Sequence, residues 1–216
     1  MNETKRMNIN VFADIKLRTL MSRLPYVDYL LDLGSSTCTL ADAYPYADTK
    51  IVFTDLKNSD GGDFQRVAKT HKDNSNFSFI ETSCTDLSVF KDDSFDMVTS
   101  FNVIEHLTEK EYNQSLQETV RVLKSGGRFV ICTPNKTGRK ICNTYLAHPG
   151  HIEEFTADEL IKIVTAHGFI IDKKIAILNV FGTNNTDLRI NVAINEHITK
   201  AYLTWIECII IKENKK

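Results

Sequence analysis

Short apolar runs recur along the chain, separated by segments in which apolar residues have helical spacing. Most runs end at a glycine, a proline or an acidic residue, as is typical of strands buried in a parallel sheet. The pattern predicts six strands followed by a β-rich segment that contains Trp205. These are Tyr29–Leu33, Lys50–Thr54, Phe77–Ile80, Phe95–Phe101, Arg128–Thr133 and Phe169–Val180, with the final segment at Tyr202–Ile211.

Helices are predicted between these strands from periodicity and from capping signals. Apolar residues at helical spacing from Val11 to Leu24 predict a helix ahead of the first strand, ended by Pro25. A further helix is predicted at Asp63–His71. Two capping boxes, each a threonine followed three residues later by a glutamate, predict helix starts. They are Thr108 with Glu111, opening a helix to about Leu123, and Thr156 with Glu159, opening a helix to about His167–Gly168.

The connecting segments complete the predicted fold. Lys124–Gly127 is predicted to be a turn, Asn184–Asp187 a polar loop, and Pro134–Phe155 a longer loop that covers the functional site. Alternation of strands and helices favours an α/β fold with a mainly parallel, doubly wound sheet and helices on both faces. Ligands of such folds bind at the carboxyl ends of the strands, near the topological switch point.

Composition narrows the classes of function. At 216 residues with 42% hydrophobic and 25% charged positions, the chain is predicted to form one domain over residues 1–216. A net charge of −2 gives no broad positive field, which disfavours nucleic acid as a partner. Five scattered cysteines without a CxxC pair indicate reduced thiols, and no apolar stretch reaches the roughly 20 residues of a membrane span. A cytoplasmic protein without a membrane segment is expected.

The first predicted strand ends in a segment suited to close approach by a ligand. Asp32 lies at the strand end, and Gly34 begins a loop of small residues ahead of a helix, where backbone amides are accessible. The dinucleotide fingerprint requires three glycines at GxGxxG spacing, and only Gly34 is present. Taken alone, the segment fits an ordinary strand-to-helix turn equally well.

The second predicted strand ends at Asp55, about twenty residues beyond the glycine turn, where a carboxylate can accept both hydroxyls of a ribose. An isolated aspartate at a strand end is more often a turn or capping residue. The occurrence of Asp55 together with the Gly34 turn favours a nucleoside ligand.

The order of these segments resembles the class I S-adenosylmethionine-dependent methyltransferases. The resemblance extends from about Tyr29 to Phe169. It includes His151–Thr156 ahead of a helix that ends at Gly168, similar to a segment of many small-molecule methyltransferases. Its other carrying segments are Asp32–Ser36, Phe53–Asp55, Asp93–Val98, Asn102–Leu107, Leu123–Arg128 and Thr133–Asn135. The resemblance implies a Rossmann-like, seven-stranded sheet with an antiparallel final strand, and S-adenosylmethionine as cofactor.

The resemblance also assigns residues to parts of the cofactor. Asp32 and the loop Gly34, Ser35 and Ser36 would surround the methionine end, and Asp55 would hold the ribose. Leu56 would pack on the adenine, while the backbone of Phe101 and Asn102 would face the methionine moiety and the methyl group. Ser36 and Cys38 stand where the family prefers glycine, which stiffens the loop.

The segment that contacts the adenine ring can be aligned in two registers. The preferred register places Ser83 at the family's acidic position and makes Cys84 the backbone donor to the adenine. The other register makes Asp86 the side-chain partner.

Methyl transfer from a sulfonium is an in-line displacement, to which a protein contributes mainly by positioning the reactants. A hydroxyl acceptor must also lose its proton, and His106 and His151 are the candidate catalytic bases. His148 and His167 are interpreted as structural or surface residues. The segments around Glu105, His106 and His151 resemble metal-binding segments of ubiquinone-pathway and small-RNA methyltransferases. Because Asn102 stands where those enzymes have a glutamate, no metal is predicted.

The predicted activity is methyl transfer to an oxygen or nitrogen of a small metabolite or glycan precursor. The acceptor pocket would be built from an N-terminal helical lid over residues 1–27 and the loop over residues 134–155. One alternative is a non-catalytic binding subunit, which Ser36 and Cys38 favour and Asp32, Gly34 and Asp55 oppose. Another alternative, an RNA methyltransferase, lacks a basic stripe with interleaved aromatic residues.

Overall fold

The computed structural model describes residues 15, 17–56, 63–141, 146, 148–179, 193–194 and 201–212. Their strands form one sheet with the order β3-β2-β1-β4-β5-β8-β6-β7. The strands β1 to β5 are parallel to one another, whereas β8 is antiparallel to both β5 and β6. The bounds are β1 Tyr29–Leu33, β2 Lys50–Asp55, β3 Phe77–Glu81, β4 Phe95–Phe101, β5 Leu123–Pro134, β6 Phe169–Asn179, β7 Ala193–Ile194 and β8 Ala201–Ile210.

The described helices connect these strands. The first, α1, is described at residues 15 and 17–21, and a short 3₁₀ helix, Ile104–His106, follows β4. Both predicted capping boxes are present, so the α4 and α6 helices begin where their threonine and glutamate pairs indicate. The remaining bounds are α2 Thr39–Ala43, α3 Asp63–Thr70, α4 Glu109–Val122, α5 Lys136–Ile141 and α6 Ala157–Ala166.

The core consists of two apolar layers, one on each face of the sheet. Consecutive residues of a strand point to opposite faces, and in β1 Leu30 belongs to one layer and Leu31 to the other. The first layer includes Met21 of α1, and the second includes Leu116 of α4 and Leu160 of α6. Helices therefore cover both faces, which confirms the predicted doubly wound architecture.

The order in which strands are added to the sheet reverses between β1 and β4. The strands β1, β2 and β3 extend towards one edge, after which the chain returns and places β4 on the other side of β1. The carboxyl ends of β1 and β4 therefore flank the topological switch point, which is where ligands of such folds bind.

Three sequence predictions need correction in detail. The sheet has the seven predicted strands and also a two-residue edge strand, β7, that pairs with β6. Residues 124–127, predicted as a turn, lie within β5 as a bulge opposite Asp96, because Leu123 pairs with Phe95 and Arg128 pairs with Met97. The predicted loop over residues 134–155 contains α5, and its two ends meet in a bridge between Asn135 and Phe155.

Further predictions concern the cysteines, membrane segments and the ends of two predicted elements. Cys38, Cys84, Cys132 and Cys208 are free thiols. Among the described residues, no helix is long and apolar enough to cross a membrane. The predicted loop over residues 184–187, residues 11–14 of the predicted first helix, and Cys142 lie outside the described residues.

Candidate functional site

A cavity of about 800 Å³ opens at the carboxyl ends of β1 and β4. Its size lies in the range typical of small-molecule sites. Every residue predicted to hold the cofactor lines it, and these residues come from segments far apart in the sequence. They are Asp32, Gly34, Ser35, Ser36, Asp55, Leu56, Ser83, Cys84, Phe101 and Asn102. His106 and the apolar α1 residues Leu17 and Met21 line the same cavity.

The loop between β1 and α2 holds an unusual backbone conformation. Gly34, Ser36 and Cys38 all have left-handed φ angles, of +62°, +40° and +49°. A non-glycine residue in this region costs about 1–2 kcal/mol of strain. The Ser36 amide donates a 2.6 Å hydrogen bond to Asp55 Oδ2, and the Ser35 amide donates to the Thr54 carbonyl. These bonds offset the strain and fix the loop against the end of β2.

We expect Gly34→Ala to destabilise the fold by about 1–3 kcal/mol more than Gly126→Ala. Both glycines have positive φ angles, so alanine is strained at either position. A methyl group at Gly34 would lie 2.5 Å from Val103 Cγ2, whereas at Gly126 no described heavy atom lies within 4 Å. Urea denaturation of the two variants measures the difference. Equal losses would contradict the crowding at Gly34.

Asp32 places a buried carboxyl group on the cavity wall. Its side chain accepts a 2.6 Å hydrogen bond from the Thr99 hydroxyl of β4, and only 4% of the residue is exposed. Burial raises the pKa of Asp32 from 3.8 to about 6, although the hydrogen bond from Thr99 lowers it. The carboxylate therefore carries a charge at neutral pH that a cationic ligand group would stabilise.

Asp55, at the end of β2, uses each carboxylate oxygen once. Oδ2 accepts from the Ser36 amide, and Oδ1 accepts from the Leu56 amide at 2.7 Å. A carboxylate has about four acceptor positions, so about two remain for the hydroxyls of a ligand. Leu56 is 56% exposed beside it, an apolar surface on which a flat ring could pack.

The geometry favours the preferred register of the adenine segment. Ser83 and Cys84 line the cavity, whereas Asp86 lines a separate surface depression. The Asp86 side chain accepts from the Ser88 amide, and this bonding lowers the pKa of Asp86. Asp86 is thus engaged in a local turn and does not line the cavity.

The residues that follow β4 close the inner end of the cavity. The Phe101 ring stacks on the buried Trp205 of β8, with ring centroids 5.2 Å apart. Asn102 has a left-handed φ of +57°, and its amide donates to the Cys132 carbonyl of β5. The side chain of Val103 then contacts Gly34, which joins this segment to the loop after β1.

Three histidines lie together beside the cavity. His106 lines the cavity and pairs Nδ1 with the Gly150 carbonyl at 2.8 Å. His151 lies behind it, with ring centroids 4.9 Å apart, and does not line the cavity. His148, interpreted from the sequence as structural or surface, instead lines the cavity and stacks on His151. The predicted structural position of His167 agrees with its Nδ1 bond to the Ile163 carbonyl.

Two buried glutamates, whose burial the sequence did not indicate, flank this histidine cluster. Glu105 accepts from the Thr133 hydroxyl, and burial raises the pKa of Glu105 to about 7. Glu154 accepts from His151 Nδ1 at 2.8 Å and forms an ion pair with Arg139 at 3.2 Å. Both glutamates are fully buried. Arg139 belongs to α5, in a segment whose turn-forming composition gave no helical signal.

The middle of the chain matches a known family. Residues 31–131 match the model of the family described as "Methyltransferase domain". A probable S-adenosylmethionine-dependent methyltransferase of Mycolicibacterium smegmatis is 33% identical over 98 residues, which are 45% of this chain and 37% of that protein. A demethylmenaquinone methyltransferase of Clavibacter sepedonicus is 33% identical over 103 residues, 48% of this chain and 40% of that protein. The matched region thus spans less than half the length of either relative.

Solved structures share the fold over nearly the whole chain. A Thermotoga maritima S-adenosylmethionine-dependent methyltransferase, a possible histamine N-methyltransferase, has a TM-score of 0.69 at 18% identity, covering 96% of this chain and 94% of that one. A Burkholderia thailandensis 1,6-didemethyltoxoflavin-N1-methyltransferase, solved with its substrate and S-adenosylhomocysteine, has a TM-score of 0.62 at 14% identity, covering 93% and 79%. Residues 31–131 therefore match a methyltransferase domain, and nearly the whole chain shares the fold of S-adenosylmethionine-dependent methyltransferases.

Proposed function

We propose that the protein transfers a methyl group from S-adenosylmethionine to an oxygen or nitrogen of a small metabolite or glycan precursor. The observation that carries the proposal is the cavity itself. Residues predicted from the ends of β1, β2 and β4 and from the segment after β3 all line it. The Burkholderia methyltransferase, which was solved with bound 1,6-didemethyltoxoflavin, supports a small-molecule acceptor.

The residues present fit the cofactor at both of its ends. Asp55 retains acceptor capacity for two ribose hydroxyls, and Leu56 offers an apolar surface for the adenine. Val103 packs closely against Gly34 and holds the loop after β1 at the cavity wall. Because glycine has no side chain, a ligand can approach the backbone at this position. Asp32 supplies a buried negative charge near the position of the methionine ammonium.

The protein contributes mainly by positioning. When bound, the cofactor supplies a methyl group on a positively charged sulfur, and transfer forms a bond from carbon to the acceptor as the carbon–sulfur bond breaks. Phe101, stacked on Trp205, and Asn102, bonded to β5, present a rigid wall on the side of the methyl group. Fixed walls of this kind raise the effective concentration of the reactants.

The histidine side of the cavity is suited to an acceptor hydroxyl. If His106 Nδ1–H donates to the Gly150 carbonyl, the lone pair of the imidazole lies on Nε2, the nitrogen that can take a proton. His151 is held in the same tautomer by Glu154. Leu17 and Met21 of α1 supply an apolar wall that would exclude water from the acceptor.

The proposal is tested by titrating S-adenosylmethionine and S-adenosylhomocysteine into the protein and then screening small hydroxyl and amine acceptors for S-adenosylhomocysteine release. Micromolar binding of both nucleosides is expected, followed by release that depends on one class of acceptor. A protein that binds neither nucleoside would contradict the proposal and favour a non-catalytic binding subunit.

A further inference from the structure

We propose that His106, His148 and His151 bind a divalent transition-metal ion at the edge of the cavity, with Glu105 as a fourth ligand. The three imidazoles each offer a ring nitrogen, and these nitrogens lie within 4.8 Å of one another. In a tetrahedral site with metal–nitrogen bonds of 2.0–2.1 Å, ligand nitrogens are about 3.3 Å apart. Rotations of the side chains that move each ring by about 1 Å would therefore close the site.

The bonding of two of the rings matches that of metal ligands. A metal-binding histidine almost always donates its other N–H to a carboxylate or a carbonyl, which fixes the coordinating nitrogen. His151 Nδ1 is paired with Glu154, and His106 Nδ1 is paired with the Gly150 carbonyl, each at 2.8 Å. With Nδ1–H as the donor in both rings, the lone pair lies on Nε2.

His148 completes the set from the solvent side. It is exposed, and the bond from the Gly150 amide to its Nδ1 is long at 3.2 Å, so the ring can rotate towards the other two. Its ring already stacks on His151 with centroids 4.8 Å apart. Because His106 and His148 both line the cavity, an ion bound between them would face the space for the acceptor.

A buried carboxylate oxygen gives an independent indication of a cation. Glu105 is fully buried, and its Oε1 has no hydrogen-bond donor among the described residues. Such an oxygen is costly unless another group completes its bonding. It lies 4.0 Å from His151 Nε2, too far for a hydrogen bond and about 0.6 Å more than the separation of two ligands in a tetrahedral site, a gap that the same small rotations would close.

The donor set indicates the class of metal. Imidazole nitrogens suit zinc, nickel, copper and iron, whereas Mg²⁺ prefers an octahedral set of oxygens. Three histidines and one carboxylate therefore favour a transition metal such as Zn²⁺. Four protein ligands would fill a tetrahedral shell, and zinc can take a fifth ligand by expanding that shell.

The role of the ion in methyl transfer rests on the proposed function. An imidazole that binds a metal has no lone pair left for a proton, so His106 and His151 would act as ligands in the metal-loaded enzyme. The acceptor oxygen would bind the ion as a fifth ligand, and the ion would lower the pKa of that oxygen. The metal site itself can be tested without any acceptor.

The test measures binding of Zn²⁺ and Co²⁺ to protein stripped with a chelator. Calorimetry of the wild type should give one Zn²⁺ per chain, and Co²⁺ should give the visible absorption of a site with nitrogen ligands. We expect His148→Ala and Glu105→Gln to weaken Zn²⁺ binding about 10–100-fold, and His71→Ala, which removes a ring that packs on Phe77 of β3, to leave it unchanged. His148 is exposed, so its substitution preserves the fold.

Two results would overturn the metal site. One is a stripped wild type that binds neither ion saturably, and the other is Zn²⁺ binding that is equal in the wild type and in His148→Ala. Titration of the same samples with S-adenosylhomocysteine separates the two proposals. Nucleoside binding without Zn²⁺ binding would remove the metal site alone, and Zn²⁺ binding without nucleoside binding would remove the proposed function alone.

Discussion

Asp55→Ala is expected to weaken S-adenosylhomocysteine binding by about 10²–10⁴-fold. Hydrogen bonds to a charged group contribute about 1.5–3 kcal/mol each, and Asp55 has acceptor capacity for two ribose hydroxyls. The substitution also removes the acceptor that holds the Ser36 amide, which loosens the strained loop after β1. Isothermal titration calorimetry of the wild type and the variant measures the loss.

Asp86→Ala is the matched control for this measurement. Asp86 belongs to the neighbouring segment but lines a different depression and bonds the Ser88 amide. Its removal should leave the affinity for S-adenosylhomocysteine unchanged. If Asp86→Ala lost affinity while Asp55→Ala retained it, the assignment of the ribose and adenine positions would be wrong.

Asp32→Asn is expected to stabilise the fold at neutral pH while weakening cofactor binding. The pKa of Asp32 is about 6 in the folded protein and 3.8 as its ordinary value, so the folded state binds the proton more tightly. The resulting stabilisation is present below about pH 4 and is lost as the pH rises through about 6. Above that pH the wild type bears the cost of a buried charge, about 3 kcal/mol. Asparagine carries no such charge.

Urea denaturation between pH 4 and pH 8 tests this expectation. The variant should gain about 3 kcal/mol over the wild type above pH 6, with the difference shrinking towards pH 4. Asp42→Asn, at an exposed position of α2, should remain within about 0.5 kcal/mol of the wild type throughout. A variant no more stable than the wild type at pH 7.5 would contradict the cost of burying the Asp32 charge.

Whereas Asp32→Asn should increase the stability of the fold, it should decrease the affinity for the cofactor. Wild-type binding of S-adenosylmethionine is expected to weaken as the pH falls through about 6, because protonation removes the negative charge of Asp32. The Asp32→Asn variant should bind more weakly at pH 7.5 and should lack this pH dependence. Calorimetry at pH 5 and pH 7.5 distinguishes the two profiles.

The cavity residues at the ends of β1 and β2 could be predicted from sequence because they follow strands directly. Asp32 and Asp55 end apolar runs, and parallel strands bring their carboxyl ends to one edge whatever the rest of the chain does. The capping boxes of α4 and α6 are equally local, since the threonine and glutamate of each are three residues apart.

The histidine side could not be predicted in the same way. His148, Glu154 and Arg139 lie in a segment without periodicity, and they meet Glu105 only through tertiary contacts. Residues 124–127 carry two glycines and look like a turn, but pairing of Leu123 and Arg128 with β4 retains them as a bulge within β5. In both places, contacts between residues far apart in the sequence determine the structure.

The position of β8 has a consequence for how the chain is made. This strand is the last described element, yet it lies between β5 and β6. Among the described strands, only β8 connects β6 to the parallel strands. That connection cannot form until residues 201–212 have left the ribosome. Closure of the sheet is therefore a late, long-range step of biosynthesis. Trp205, the single tryptophan, lies on that strand against Phe101. Its fluorescence would report the moment at which the two halves of the sheet join and the inner wall of the cavity forms.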